Sequence, residues 1–220
     1  MSKRKLLLPE MEGPMARWYD KQRGTPSQVA AWRNQAGELT AALAAGAAVL
    51  EVAPGPGYLA IEMARSGRLR VTGLDISHTM VEIARGHASE AEVSVDFRHG
   101  DASAMPFDAG SFDLIVCQAA FKNFRQPVAA LDEMHRVLRT GGVAVIQDMS
   151  KDASKADIAR EVAGQGLGGV NGFITKNMLS ALRRRAYTPD RFRELVAESA
   201  FRTAEITPEG IGLEVRLRRA

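Results

Sequence analysis

The hydrophobic pattern changes character along the chain, and the change predicts where helix gives way to strand. Between residues 29 and 43 apolar residues recur every three or four positions, which is typical of one face of an amphipathic helix. Residues 47–53 are instead apolar except for one acid and end at Pro-Gly-Pro-Gly, as a buried parallel strand would. We therefore expect helix first and sheet second. The apolar positions of the helix are Val29, Trp32, Ala36, Leu39 and Leu43.

Strand-like and helix-like segments then alternate as far as residue 149. Ser77 or Thr79 is a candidate N-cap for the helix that follows the second strand. Gly141-Gly142 is a candidate stop for the helix marked by Val128, Leu131, Met134 and Leu138. The alternation predicts a Rossmann-like, doubly wound α/β sheet with helices on both faces. Strands are predicted at 47–53, 69–75, 93–98, 112–117 and 143–149.

The last third of the chain is less regular. Residues 164–173 (GQGLGGVNGF) hold five glycines, which predicts a loop or hinge. Thr188-Pro189 opens a helix through Ala200, and 201–206 and 211–218 alternate like two antiparallel strands around a Pro208–Gly210 turn. The expected sheet thus has seven strands, mostly parallel with an antiparallel last strand. The expected single domain (1–220) comprises an N-terminal helical cap (1–45), a Rossmann-like core (46–149), a variable insertion (150–187) and a C-terminal helix with two antiparallel strands (188–220).

Composition narrows the class of protein. The 220 residues are 45% hydrophobic and 25% charged, which is enough to build a core. The net charge of +3 is local: residues 1–175 hold 19 basic and 20 acidic residues, whereas 176–220 hold 10 and 6. Bulk charge therefore does not predict a nucleic-acid binder. One cysteine excludes an intrachain disulfide, the four histidines show no metal-ligand spacing, and no apolar run is long enough for a membrane span or signal core. We expect a cytoplasmic protein without a metal.

Candidate chemistry collects where the strands end, because ligands of such sheets bind beyond the carboxyl ends of the strands. Gly55 and Gly57 permit a tight turn into a helix, either to approach a ligand closely or simply to connect two elements. Asp75 follows Glu51 by 24 residues and suits either a ribose diol or the N-cap of the next helix. Asp148 could reach an acceptor or cap a helix.

Four segments resemble, in order, the motifs of class I S-adenosylmethionine-dependent methyltransferases. They are VLEVAPGPGYLA, VTGLDISHTMVEIAR, GDASAMPFDAGSFDLIVC and MHRVLRTGGVAVIQD. The most similar branch is the ubiquinone/menaquinone-biosynthesis-like one (methyltransferase type 11). The resemblance covers residues 47–149 and, more weakly, 16–20 and the last two strands. It implies S-adenosylmethionine as cofactor, S-adenosylhomocysteine as product and a small-molecule acceptor, either anionic or neutral. It also implies that the core (46–149) binds the cofactor and that the insertion (150–187) is an acceptor or lid segment. Ala53 departs from the family, which has glycine there.

The resemblance also implies roles for individual residues. Glu51 and the Cys117 carbonyl would hold the cofactor's amino group. Asp75 would bind the ribose hydroxyls, and Asp101 would accept from the adenine amino group. The other implied cofactor residues, which face the methionine portion, the adenine or the sulfonium, are Tyr19, Ala53, Gly55, Gly57, Ile76, Met80 and Ala102.

The acceptor is expected over residues 119–124 (AAFKNF). Many relatives carry histidine where Lys122 or Asn123 stands, so a histidine base is not expected here. Lys122 could orient an anionic acceptor or be merely solvated. Tyr19 could close over the sulfonium or be a core aromatic. Residues 183–185 (Arg-Arg-Arg) and Tyr187 could line a lid or lie on a solvated helix face, and we expect His99 to be structural.

Other functions stay open as alternatives. An RNA or other nucleic-acid methyltransferase is disfavoured because Cys-Gln-Ala-Ala stands where enzymes acting on base amines carry Asn/Asp-Pro-Pro-aromatic. An NAD-linked oxidoreductase is disfavoured because E-x-A-x-G-x-G is not GxGxxG. A protein methyltransferase and a non-catalytic cofactor-binding homologue remain. We expect no nucleic acid and no membrane as partners, and a monomer or homodimer.

Overall fold

The computed structural model describes residues 11–164 and 169–220. Their strands are β1 (Ala48–Val52), β2 (Arg70–Asp75), β3 (Asp96–His99), β4 (Phe112–Gln118), β5 (Leu138–Met149), β6 (Glu205–Glu209) and β7 (Gly212–Arg218). The helices are α1 (Gly13–Arg23), α2 (Pro26–Thr40), α3 (Tyr58–Ala64), α4 (His78–Glu90), α5 (Pro127–Val137), α6 (Lys155–Gly164), α7 (Gly169–Arg183) and α8 (Pro189–Glu198). A short 3-10 helix follows β4 (Phe121–Asn123).

All seven strands form one sheet in the order β3-β2-β1-β4-β5-β7-β6. The first five strands in this order are parallel to one another, and β7 is antiparallel to both β5 and β6. Every residue of β1 is buried, as its unbroken apolar run predicts. The predicted Rossmann-like sheet, mostly parallel with an antiparallel last strand, is confirmed.

Helices cover both faces of the sheet, also as predicted. One face packs against α5 and α8 in a cluster that includes Leu131, Phe192 and Ile146. The other packs against α3, α4 and the predicted stripe of α2, whose Trp32, Ala36 and Leu39 contact that core. None of the helices within the described ranges combines the length and apolarity needed to cross a bilayer.

The predicted helix stop at Gly141-Gly142 is wrong. Helix α5 ends at Val137 because Leu138 is extended, with φ −66° and ψ 146°, and begins β5. The two glycines instead serve a tight irregularity within β5. Gly141 has φ +80°, and a Cβ on Gly142 would lie 2.9 Å from the Arg139 carbonyl oxygen.

The third strand and the sixth begin later than predicted. Glu92 has φ +54°, and the Val93 amide donates to the Ala88 carbonyl, so the turn after α4 extends through Val93 and β3 begins only at Asp96. Arg202 has φ +64°, which turns the chain after the buried Phe201 and delays β6 to Glu205.

Two further boundaries also differ from the prediction. Pro208 lies within β6, an edge strand that tolerates a missing amide donor, and the turn falls at Gly210-Ile211. Of the predicted glycine-rich loop, residues 169–173 are helical in α7, while 165–168 lie outside the described residues. Residues 1–10 of the predicted cap also lie outside them.

Candidate cofactor-binding site

The loop after β1 is fastened to the end of β2. The Gly55 amide donates to Oδ2 of Asp75 at 3.0 Å, and the Ala53 amide donates to the Leu74 carbonyl at 2.8 Å. Gly57, with φ +82°, is the N-cap of α3, and a Cβ there would lie 2.6 Å from Cζ of Phe97. Glycine is therefore required at this position for both its conformation and its size.

Asp75 is buried at the junction between this loop and α4. Its Oδ1 accepts from the Ser77 amide at 2.9 Å, so each carboxylate oxygen holds one backbone amide. Burial raises the pKa of Asp75, and the bonds from Ser77 and Gly55 act in the opposite direction. Ser77 is the N-cap of α4, since its Oγ accepts from the Met80 amide. The alternative in which Asp75 caps α4 is wrong, and the predicted cap at Ser77 is confirmed.

Glu51 points into the protein with one carboxyl oxygen unsatisfied. It is 3% exposed, and its Oε2 has no hydrogen-bond partner. Burial, together with the charge of Asp75, raises the pKa of Glu51 to about 8. A ligand ammonium at this point would donate to Oε2 and favour the ionised carboxylate. The residue therefore fits the amino group of S-adenosylmethionine, and that pairing would lower the pKa again on binding.

The N-terminal segment closes over the same strand ends. Glu12 accepts from the amides of His78 and Thr79 at the first turn of α4, at 2.8 and 3.1 Å. The Ser77 hydroxyl donates to the Met11 carbonyl at 2.7 Å. Residues 11–13 therefore form a strap beside Asp75, an arrangement with no signal in the sequence pattern.

Helix α1 continues from the strap across the glycine loop. The ring of Tyr19 comes within 4.0 Å of where a Cβ would stand on Gly55. Asp20 accepts from the Tyr58 hydroxyl at 2.8 Å, which ties α1 to α3. Tyr19 therefore lies against the loop expected to hold the methionine portion of the cofactor.

The residues predicted to contact the adenine lie just beyond the ends of β2 and β3. Ile76 is 40% exposed, and its carbonyl contacts Nε2 of His99, whose ring stacks on His78 at 3.6 Å between centroids. Oδ1 of Asp101 accepts from the amide and hydroxyl of Ser103. Of the remaining predicted cofactor residues, Met80 in α4 and Cys117 in β4 are buried, and Ala102 beyond β3 is partly buried.

The residues predicted to catalyse are divided between surface and interior. Asn123 is exposed, whereas Lys122 is 5% and Asp148 8% exposed. Nζ of Lys122 donates to Oδ1 of Asp148 at 2.7 Å and also to the Ala119 carbonyl. Oδ2 of Asp148 accepts from the Lys122 amide at 2.8 Å. The alternative prediction, a solvated Lys122, is therefore wrong. Asp148 also holds the 3-10 helix in place, next to the ends of β4 and β5.

The predicted lid residues lie behind this loop. Tyr187 is buried with Phe121 and Phe192, at ring separations of 6.0 and 5.9 Å. Arg183 donates to the Ala153 carbonyl at 2.7 Å. Within the parts of the chain that are described, no cluster of three His, Cys, Asp or Glu side chains could hold a metal ion.

Comparison with known proteins identifies the core. Residues 50–146 match the family model described as "Methyltransferase domain". These residues form a class I methyltransferase domain. S-adenosylmethionine is the cofactor of this class, and S-adenosylhomocysteine is the product. The resemblance drawn from the four sequence motifs is confirmed.

The methyltransferase domain has both sequence relatives and structural neighbours. A demethylmenaquinone methyltransferase from Deinococcus radiodurans is 37% identical over 107 residues, 48% of this chain and 44% of that protein. A ubiquinone biosynthesis O-methyltransferase from Xanthomonas oryzae is 33% identical over 108 residues, 49% of this chain and 45% of that protein. The chain thus matches less than half the length of these two relatives.

A solved structure of known fold resembles this one. A Methanococcus maripaludis protein assigned to the S-adenosyl-L-methionine-dependent methyltransferases superposes with a TM-score of 0.72 at 20% identity. The superposition covers 100% of this chain and 97% of that one.

The replacement of glycine by Ala53 leaves a strained backbone in the methyltransferase loop. Ala53 has φ +58°, a region that costs a residue with a Cβ about 1–2 kcal/mol. We expect Ala53→Gly to raise the unfolding free energy by about 0.5–1 kcal/mol, after the added entropy of glycine in the unfolded chain. The matched control is Ala31→Gly on the exposed face of α2, which should lose about 1 kcal/mol. If urea unfolding shows the same loss of unfolding free energy in both variants, the backbone at Ala53 is not strained.

Proposed function

We propose that the chain transfers the methyl group of S-adenosylmethionine to a small aromatic acceptor of the reduced quinone or phenol type. The cofactor assignment rests on the loop 53–57, which is hydrogen-bonded to Asp75 and follows the strand that contains Glu51. One carboxyl oxygen of Glu51 has no hydrogen-bond partner. The names of the relatives support the acceptor half, since they refer to demethylmenaquinone and to ubiquinone biosynthesis.

When bound, the cofactor supplies an electrophilic methyl group on a sulfonium, whose sulfur keeps the bonding electrons as the methyl leaves. The protein has to bind and orient the cofactor and the acceptor, and it has to exclude water from them. Asp75 holds the ribose, while the loop through Gly55 and Gly57 holds the methionine portion against the backbone. Tyr19, whose ring already lies against Gly55, covers the sulfonium with an aromatic face.

In this proposal the protein accelerates methyl transfer by orienting the acceptor toward the methyl group. Well-placed reactants gain roughly 7–11 kcal/mol from proximity. Lys122 acts indirectly, because its ammonium is engaged by Asp148 and the Ala119 carbonyl and holds the loop 119–124 in place. Asn123, exposed on the same loop, contacts the acceptor. A phenol or quinol that binds as its anion needs no protein base, which agrees with the lack of histidine in this loop.

We propose further that the segment 150–187 covers the acceptor. Helices α6 and α7 lie in this segment, after the carboxyl end of β5. An isolated bridge between Ser150 and Tyr187 closes the segment at its base. The cover would exclude water from the methyl group during transfer.

Calorimetry with S-adenosylmethionine, S-adenosylhomocysteine and NAD tests the cofactor assignment. We expect one molecule of either adenosyl ligand to bind per chain and NAD not to bind. Binding of NAD alone, or of no ligand at millimolar concentration, would contradict the proposal.

Transfer is tested with methyl-labelled S-adenosylmethionine and 1,4-dihydroxynaphthalene under reducing conditions. We expect label in the organic phase and a product heavier by one methylene. A matched reaction with 1,4-dimethoxynaphthalene, which offers no hydroxyl, should remain unlabelled if a phenolate is the nucleophile. Cofactor binding without transfer to any phenol or quinol would limit the conclusion to a cofactor-binding protein.

A further inference from the structure

The exposed apolar side chains lie toward one edge of the sheet. Among the described residues, the large hydrophobic side chains that stay exposed are Met15 and Trp18 in α1, Ile76 just after β2, and Phe173 and Met178 in α7. Ile76 is accounted for by the predicted adenine contact. The other four serve no site described above, although Trp18 is 57% and Phe173 68% exposed. Apolar side chains that are exposed together mark an interaction surface.

Helices α1 and α7 both lie beyond the carboxyl ends of the strands. The Gly13 amide at the start of α1 donates to the Thr79 hydroxyl in the first turn of α4, and α1 then passes beside Gly55. At the end of α7, Arg183 donates to the carbonyl of Ala153, just after β5. The two helices therefore flank the edge of the sheet that carries the cofactor loop.

The outward face of α1 combines apolar and basic side chains. Ala16 is buried, and Asp20, the one acid of the helix, accepts from the Tyr58 hydroxyl, so both point into the protein. The exposed face is consequently free of acids and suits a boundary between water and an apolar phase. Its residues are Pro14, Met15, Arg17, Trp18, Lys21 and Gln22.

The outward face of α7 has the same composition. Lys176 lies one turn from Phe173, and Arg184, directly after the helix, lies three turns from it, so the three share one face. All three are exposed. The chain has no acid at all in residues 162–189. This face therefore also sets an aromatic side chain among uncompensated positive charges.

The basic side chains of the two faces are available to an outside partner. Among the described residues, no carboxylate forms an ion pair with Arg17 or Lys21, and the same holds for Lys176 and Arg184. A second copy of the chain on these faces would bring charges of the same sign together, which disfavours it. An acidic bilayer instead offers anionic headgroups beside an apolar phase, so it satisfies both kinds of side chain at once.

We propose that the exposed faces of α1 and α7, together called the docking face, bind the surface of an anionic phospholipid bilayer. The rings of Trp18 and Phe173 enter the headgroup region, while the basic side chains extend to the lipid phosphates. The expectation of no membrane partner considered only long apolar runs, and helices that lie on a bilayer need none. Docking turns the carboxyl ends of the strands toward the lipid. It goes beyond the proposed function and does not depend on it.

Sedimentation with sucrose-loaded vesicles tests the proposal on the full chain. We expect the chain to sediment with vesicles of equal parts phosphatidylcholine and phosphatidylglycerol, and to bind pure phosphatidylcholine about tenfold more weakly. High salt should release it, because salt screens the charged contacts. If the wild-type chain stays in solution with the anionic vesicles, the proposal is overturned, whether or not the chain binds S-adenosylmethionine.

Charge-matched variants locate the contact. Arg17→Gln combined with Lys21→Gln should weaken binding to the anionic vesicles about tenfold. The control is Arg68→Gln combined with Arg70→Gln, which removes the same charge from exposed positions at the amino end of β2, on the opposite edge of the sheet. It should leave vesicle binding unchanged. Equal losses in both double variants would show that net charge alone decides binding, and the docking face would then be wrong.

The apolar half of the docking face has its own readouts. Trp18→Gln and Phe173→Gln should each weaken vesicle binding about tenfold. In a Trp32→Phe chain, Trp18 is the one remaining tryptophan, and its emission should shift to shorter wavelength with anionic vesicles and be quenched by brominated lipid. Unchanged emission in a chain that sediments would place the contact elsewhere and overturn the proposal. A wild-type dimer that Trp18→Gln converts to monomers, with vesicle binding unaltered, would assign the face to a second copy instead.

Discussion

Asp148→Ala should cost about 3–5 kcal/mol of unfolding free energy, the largest loss we expect from a single substitution here. The change would leave the buried ammonium of Lys122 without its carboxylate partner, 2.7 Å away, and would also remove the acceptor for the Lys122 amide. A buried charge without a counter-charge is far more costly than the pair itself is stabilising. In thermal unfolding the loss corresponds to a shift on the order of 10 °C for a domain of this size.

A double variant provides the control for this pair. Lys122→Met removes the charge and keeps the length of the side chain, so Asp148→Ala combined with Lys122→Met should recover much of the lost stability. The coupling between the two changes, measured by urea unfolding, then isolates the ion pair from packing. An Asp148→Ala variant within about 0.5 kcal/mol of the wild type would contradict the burial of the Lys122 charge.

The second large effect concerns cofactor affinity. We expect Asp75→Ala to weaken S-adenosylmethionine binding by about 100-fold, which corresponds to two charge-assisted hydrogen bonds to the ribose. The same change would free the amides of Gly55 and Ser77 and so loosen the glycine loop. Calorimetric titration measures the combined effect.

Two simpler ligands distinguish the two roles of Asp75, contact with the ribose and support of the glycine loop. Adenosine should bind the wild-type chain more tightly than 2′,3′-dideoxyadenosine, because only adenosine offers hydroxyls to Asp75. In Asp75→Ala the two should bind alike. If the variant still prefers adenosine, Asp75 supports the loop but does not contact the ribose.

Periodicity and turn chemistry predicted most of the sheet, and two of their errors fall where a single non-glycine residue adopts positive φ. Glu92 and Arg202 both do so and delay the strands that follow them. Nothing in a glutamate or an arginine favours that conformation, so tertiary contacts decide it. The glycine turn at 55–57 was predictable because glycine itself signals the need for positive φ.

The residues of the candidate site can be sorted in the same way, into those that the sequence predicts and those that it does not. Glu51 and Asp75 lie at the carboxyl ends of β1 and β2, and Gly55 follows β1, so their place at the sheet edge could be predicted from the sequence. Glu12 could not, because it contacts residues 66 and 67 positions away in the chain. Its role emerges only once the strap is in place, since an isolated acidic residue in a polar segment has no distinguishing pattern.

The position of β7 has a consequence for biosynthesis. It lies between β5 and β6, although it follows β6 in the chain. During translation β6 therefore has no strand to join until residues 212–218 leave the ribosome, and β5 meanwhile presents an open edge to other nascent chains. Premature stop codons before residue 212 should consequently yield aggregation-prone products even though residues 50–146, the methyltransferase domain, are already synthesised in full.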